Sequence, residues 1–304
     1  MPYAKISTGP VYYELNGSAY SGERPLVLFF NGWCLSSRYW EETVRYLEKE
    51  WTLLNYDGRG FGRSSSDNHP LEDKVRFTIE SSADEAEELL AFVISKAKSQ
   101  EQRDEDEGAK RQKHKVHVVG HSLGAVTATH FASRLEAQGL LASLTIINSG
   151  SFEPNVMQGS TLSLFVSIFV LTKNLFDLPL LRNSVVGRSI NQPIAEQYAR
   201  VITRDFVEAD RWAALELSRS SLTVPTLKRY RRELETLKSP LLLIVGDKDA
   251  TIPPAGMYNI KRFKPAADLV AFPDCGHLPM LERAERFAES LGNHFRVAES
   301  EKTA

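Results

Sequence analysis

One serine in this chain stands where serine can become a nucleophile. The stretch "KVHVVGHSLGAVTATHFASRLEA" passes from an apolar strand pattern into a helical one, with Gly120-His121-Ser122-Leu123-Gly124 at the junction. A G-x-S-x-G turn between strand and helix holds the serine in a strained backbone, and its small flanking residues let strand and helix approach closely. The start of the helix adds free amides and the positive end of its dipole, both suited to negative charge developing nearby. A hydroxyl is a poor nucleophile until a base accepts its proton, so this serine also requires a histidine and a group to orient it.

Seven histidines compete for the role of base. His277, in "FPDCGHLPMLERAERF", follows the last apolar run and precedes an amphipathic helix, which places it in a loop at the same sheet edge as Ser122. His121 adjoins the serine, but at such a turn its side chain is expected to point away from it. His114 and His117 flank or occupy the preceding strand, where packing or solvent exposure is a better account than metal ligation. His69, His130 and His294 fall outside the required loops and read as surface or packing residues. For the acid, "DKDATIPP" follows the strand pattern "LLLIVG" and offers Asp247 and Asp249, between which the residues alone do not choose.

These groups need a scaffold, and the chain alternates strand and helix patterns in the way that supplies one. Strands are predicted at "VYYELN", "LVLFF", "WTLLNYD", "KVHVVG", "SLTIINSG", "LLLIVG" and "ADLVAF". "LVLFF" does not alternate; five consecutive apolar residues suit a strand buried on both faces of a parallel sheet. The Asn31-Gly32 that follows then opens a loop at the sheet edge instead of closing a hairpin. Between strands, Ile79, Ala83, Ala86, Leu90, Val93 and Ala97 recur at helical spacing, with Ser81-Ser82 and Glu85 available to cap the start. The pattern predicts βαβ units: a mostly parallel sheet with helices on both faces.

Two segments break the rhythm. Residues 98–115, "KSQEQRDEDEGAKRQKHK", are nearly free of apolar side chains and pass from an acidic to a basic block, as in a solvated, mobile insertion. Residues 151–239 separate two strands without a clear strand of their own and read as a mainly helical cap inserted into a core formed by 1–150 and 240–304.

Composition excludes several classes of function. With 42% hydrophobic and 25% charged residues and a formal charge of −2, the 304 residues suit a globular protein and carry no basic footprint for nucleic acid. Two cysteines, Cys34 and Cys275, make neither a disulfide framework nor a cysteine-rich metal site, and no secretion signal opens the sequence, so a cytoplasmic location is expected. The most apolar window, Thr161 to Leu181, is interrupted by Lys173, Asn174 and Asp177, leaving a run too short to span a bilayer. "DGRGFGRS" at Asp57 to Ser64 superficially suggests a dinucleotide loop, but its glycines are misplaced and no helix starts there. No cofactor and no metal are expected.

Taken together, "NGWCLSS", "DGRGFGRS", "GHSLG", "VGDKDATIPP" and "PDCGHLPMLERAERF" resemble the α/β-hydrolase superfamily along nearly the whole chain, apart from the charged insertion and the cap. The resemblance implies that fold and the order serine, aspartate, histidine. It selects Asp249 through the family's G-x-x-D-x-x-x-P pattern, here Gly246, Asp249 and Pro253. It also implies an oxyanion hole made by the backbone N–H groups of Trp33 and Leu123. Asn31 departs from the family's usual histidine before glycine, which alters the hydrogen bonding and pocket shape expected of that loop. Candidate pocket residues are Asn31, Gly32, Cys34, His121, Phe165 and Phe169. The implied activity is hydrolysis of a small-molecule carboxylic ester, water being the co-substrate, and the apolar cap stretch "LSLFVSIFVL" with "NLFDLPLL" after it leads to the expectation of a lipophilic or aromatic group on that ester. A lactone, or a β-diketone-type ketone cleaved at its C–C bond, suits the same residues, and a ligand-binding receptor built on this fold is the non-enzymatic alternative.

Overall fold

Strand β3 (Leu26–Phe30) is buried at every position, and its side chains divide between two cores. Leu26, Leu28 and Phe30 join one apolar cluster, whereas Val27 and Phe29 join another on the opposite face. β7 (Leu241–Gly246) divides in the same way: Leu241, Leu243 and Val245 face one side, Leu242 and Ile244 the other. Period-two alternation in which both phases are apolar is what a strand covered on both faces requires.

The computed structural model describes residues 3–17, 25–65, 76–101, 115–150, 166–178, 181 and 186–300. Its eight-stranded sheet has the order β1-β2-β4-β3-β5-β6-β7-β8. From β4 (Thr52–Tyr56) to β8 (Asp268–Phe272), by way of β3, β5 (Val116–His121), β6 (Leu141–Ile147) and β7, neighbouring strands are parallel. β1 (Tyr3–Ile6) and β2 (Gly9–Asn16) are the antiparallel additions at one edge. β1 is a strand absent from the sequence reading; four residues are too few for their alternation to stand out.

α1 (Glu41–Leu47) and α9 (Ala284–Ser300) cover one face, with Phe287, Leu291 and Phe295 of α9 in the core. α2 (Ile79–Glu101) and α3 (Leu123–Ala137) cover the other. The start of α2 differs from expectation. The Ser81 amide donates to Thr78 Oγ1 at 3.1 Å and the Thr78 amide to Ser81 Oγ at 2.8 Å, so the box is one turn earlier. Glu85 instead pairs with Arg59 at 2.8 Å. α2 also runs through Glu101, so the charged stretch begins as helix; its residues 102–114 lie outside the described residues.

Between β6 and β7, residues 151–165 lie outside the described residues, and those that are described form helices. A helical stretch at 166–171 precedes α4 (Glu196–Glu208), α5 (Arg211–Ser221) and α6 (Val224–Thr236). α7 (Ala255–Phe263) and the short α8 (Pro279–Glu282) complete the numbering. No helix among the described residues is long and apolar enough to cross a membrane.

The parallel order has one consequence for chemistry. β3 pairs with β4 on one side and β5 on the other, so successive connections leave it in opposite directions and open a crevice beyond its carboxyl end. Ligands of open α/β sheets bind at such points. The turns after β3, β4, β5, β7 and β8 all open at that edge.

Candidate active site

Ser122 joins β5 to α3 with φ 54° and ψ −125°, in the left-handed region that a non-glycine residue enters only when its surroundings hold it there. Its amide donates to Ile147 O at 2.8 Å and its carbonyl accepts from Ala125 N at 3.1 Å. The flanking glycines are needed for close approach. A Cβ on Gly120 would lie 2.5 Å from Ala128 Cβ, and one on Gly124 would lie 2.2 Å from the Asn31 carbonyl oxygen. The first turn of α3 therefore presses directly on the loop that leaves β3.

Two other loops bring their side chains to the same place. His277 Nε2 lies 3.0 Å from Ser122 Oγ, and His277 Nδ1 lies 2.7 Å from Asp249 Oδ2. Asp249 and His277 are each 6% exposed. The second carboxylate oxygen of Asp249 accepts the amides of Thr251 at 2.7 Å and Ile252 at 2.9 Å, which turns the carboxylate inward. Asp247 is exposed and takes no part. In the tautomer with the proton on Nδ1, the imidazole donates to Asp249 and accepts from the serine hydroxyl. That arrangement can withdraw the serine's proton as Oγ attacks a carbonyl carbon.

The loop from Asn31 to Ser37 supplies the other wall. The backbone amides of Trp33 and Leu123 make no hydrogen bond to a protein acceptor among the described residues. The Trp33 indole donates through Nε1 to Ala214 O at 2.9 Å, and its ring lies against Phe169 and Phe206 at centroid distances of 6.4 and 6.1 Å. Phe169 in turn meets Phe206 at 4.5 Å and Phe176 at 4.8 Å, making an aromatic wall that the helices between β6 and β7 provide. Phe165 lies outside the described residues.

Three of the candidate pocket residues are tied into the scaffold. Asn31 spends both polar ends inside the fold, donating to Tyr56 O at 2.7 Å and accepting from Trp40 Nε1 at 2.7 Å, so it ties the turns after β3 and β4 together. Cys34 adopts φ 58° and is buried, and burial pushes its thiol well above the ordinary range, which leaves it un-ionised and unreactive. His121 points away from the serine: its Nε2 lies 2.8 Å from the backbone carbonyl of His277, donating to it. Burial, reinforced by His277, pushes its pKa well below the usual histidine value, so it remains a neutral support beneath the His277 loop. Gly32 leaves room for it, since a Cβ there would lie 2.8 Å from His121 Nδ1. A cavity of about 50 Å³ borders Asn31, Gly32, Leu123 and Gly124 and reaches Arg59 and Glu85 behind this loop. It is large enough to hold a few waters.

Three positioning residues escaped the sequence reading. Asn148, at the end of β6 with φ 42°, accepts from Gly246 N at 2.8 Å and donates to Gly276 O at 2.9 Å, linking the loops of Asp249 and His277. Glu282 accepts from the amides of Gly276 at 3.0 Å and of Asn191 and Gln192 at 2.8 Å, tying the histidine loop to the segment before α4. Asp57 accepts from Ser37 N at 2.6 Å and from Arg63 Nε at 2.9 Å, which gives "DGRGFGRS" an anchoring role. The available signals were an Asn just past an apolar strand and an acid five residues after His277. Among the described residues no group of three His, Cys, Asp or Glu side chains could hold a metal ion.

Residues 27–290 match a model described as the Alpha/beta hydrolase family. The pimeloyl-(acyl-carrier protein) methyl ester esterase of Nitrosomonas europaea is 26% identical over 277 residues, spanning 88% of this chain and 94% of that protein. Among solved structures, the enol-lactonase from Burkholderia xenovorans superposes with a TM-score of 0.72 at 20% identity, over 97% of this chain and 100% of its own. A thermophilic esterase from Thermogutta terrifontis gives 0.71 at 21%, over 98% and 99%. At these identities the likeness to both structures is one of fold.

Proposed function

This chain belongs to the alpha/beta hydrolase family, and from that premise we propose that it cleaves a carboxylic ester through Ser122, His277 and Asp249. One observation carries the reading: an unbroken relay runs from Asp249 Oδ2 to His277 Nδ1 at 2.7 Å and from His277 Nε2 to Ser122 Oγ at 3.0 Å, at a strained turn.

The mechanism follows from those atoms. Ser122 Oγ attacks the ester carbonyl as its proton passes to His277 Nε2, and Asp249 stabilises the resulting imidazolium. The amides of Trp33 and Leu123 receive the negative charge on the carbonyl oxygen, a contribution for which one donor is typically worth about 10²–10³ in rate. His277 then protonates the departing alcohol and draws a proton from water, which hydrolyses the acyl-enzyme and restores the serine. Elements 151–239 serve as a cap. Its aromatic wall of Phe169, Phe176 and Phe206 against Trp33 favours a lipophilic or aromatic group on the substrate. The acyl-carrier-linked methyl ester named for the Nitrosomonas relative is a substrate of this bond type.

The test is Ser122→Ala, assayed with p-nitrophenyl esters of increasing acyl length alongside lactones and β-diketones. Hydrolysis and labelling by a fluorophosphonate probe are expected to disappear in a variant that still folds. Full activity in that variant would overturn the mechanism, and a kcat/KM that does not rise with acyl length would overturn the lipophilic preference.

A further inference from the structure

We propose that Asp205, contributed by α4 of the inserted region, is a positioning residue for this reaction: its buried carboxylate holds the loop that carries the Trp33 amide in register with Ser122. The proposal rests on the esterase reading above and adds a residue lying 83 positions beyond the nucleophile.

The loop after β3 is held at two consecutive amides by two carboxylates from different parts of the molecule. Ser37 N donates to Asp57 Oδ1 at 2.6 Å, an anchor within the sheet core. Ser36 N donates to Asp205 Oδ2 at 3.0 Å, an anchor from the insertion. Each carboxylate has its own arginine: Arg63 on Asp57 at 2.9 Å, Arg38 on Asp205 Oδ1 at 3.2 Å. Between this clamp and β3 the backbone passes through Cys34 at φ 58°, a conformation that persists only when its surroundings impose it. Trp33 is thus held from both directions, by its indole on Ala214 O and by the clamp at Ser36 and Ser37. An oxyanion donor misplaced by a fraction of an ångström forfeits much of its effect on the transition state.

The Asp205 side chain has 0% exposure, and its burial, together with repulsion from Asp57, outweighs the Ser36 and Arg38 contacts and pushes its carboxyl up to about 6. The groups facing it are Arg38 and the neutral Cys34 and Tyr39 from the loop, and Asp57 from the turn after β4. Lys173, near Cys34, directs its ammonium to the carbonyls of Val207 and Ala209. On α4 itself, Arg204 and Glu208 pair with each other at the surface. Ser36 N–H and Arg38 use different oxygens of this carboxylate, so an amide in its place turns an NH₂ donor toward one of these two donors.

Asp205→Asn is the direct test, using p-nitrophenyl butyrate and the full chain. With the melting temperature retained, kcat is expected to fall roughly tenfold while KM stays within about twofold, because the damage is to the transition state. The acid limb of log kcat against pH, to which the Asp205 carboxyl contributes in the wild type, is expected to lose the dependence on that proton. Unchanged kcat and limb in the variant, with wild type active, would overturn the proposal alone. Wild type that neither hydrolyses esters nor takes up fluorophosphonate would instead remove the esterase reading. If Asp205→Asn does not fold, Arg38→Gln is measured instead, since Arg38 is partly exposed and its loss removes the cation paired with Asp205 Oδ1. That variant's acid limb is expected to move up by about one pH unit, and an unmoved limb would overturn the proposal.

Discussion

Asp249 differs from Asp247 in where its carboxylate faces, and two backbone amides make the difference. Thr251 N and Ile252 N occupy Asp249 Oδ1, which leaves Oδ2 for His277 Nδ1 at 2.7 Å, whereas Asp247 is exposed two residues away. Asp249→Asn should therefore lower kcat by roughly 10³–10⁴, because an amide NH₂ facing Nδ1 stabilises the tautomer that cannot accept the serine proton. Asp247→Asn should leave kcat within about twofold. Steady-state kinetics on both variants, with thermal melts to confirm folding, checks the pair. Local pattern is enough to single out Ser122 and His277, because a strand-to-helix turn and a loop before an amphipathic helix are both visible within twenty residues. It is not enough for Asp205 or Asn148, whose partners lie far away in the sequence, nor for Asp57, whose partners Arg63 and Ser37 are 6 and 20 positions away but whose residue type is ordinary.

At the scale of elements, the site depends on how tightly α3 abuts the loop after β3. A Cβ on Gly124 would meet two backbone carbonyl oxygens, Asn31 O at 2.2 Å and Phe30 O at 2.8 Å, and backbone cannot rotate aside as a flexible side chain does. Gly124→Ala should push the first turn of α3 from that loop, separating the Leu123 amide from the Trp33 amide. A stability loss of about 1–3 kcal/mol is expected from the overpacking, with a fall in kcat beyond what the lost folded fraction explains. Urea unfolding and kcat measured on the folded fraction distinguish the two effects. Strands β3 and β7 are readable because both of their phases are apolar. β1 was not, being short and at the sheet edge, and the start of α2 was misread because Glu85, a suitable capping acid by type and spacing, is drawn instead to Arg59.

At the scale of the whole molecule, α9 closes the face opposite α2 and carries a buried histidine there. His294 is 6% exposed, and burial, with His117 adding to it, lowers its pKa from 6.5 to about 4. A folded-state value below the unfolded one means the neutral form is the stable one: the contribution is complete above about pH 6.5 and is lost as pH falls toward 4. About 2.5 units at 1.36 kcal/mol each bounds the loss near 3 kcal/mol. His294→Leu should flatten unfolding stability between pH 7 and 4, as measured by denaturant midpoints across that range; equal slopes in both proteins would refute it. What the sequence by itself determined is local: which runs are strands covered on both faces, which turn strains a serine, and where a histidine loop falls. These follow from steric limits on backbone dihedrals and from the periodicity of apolar residues, which act between neighbours. What only the tertiary structure decided is which distant groups meet: His277 with Ser122 across 155 positions, and Asp205 with Ser36 across 169. Those distances are set by strand order and by the close packing of helices on the sheet, a property of all the contacts together that no single segment encodes.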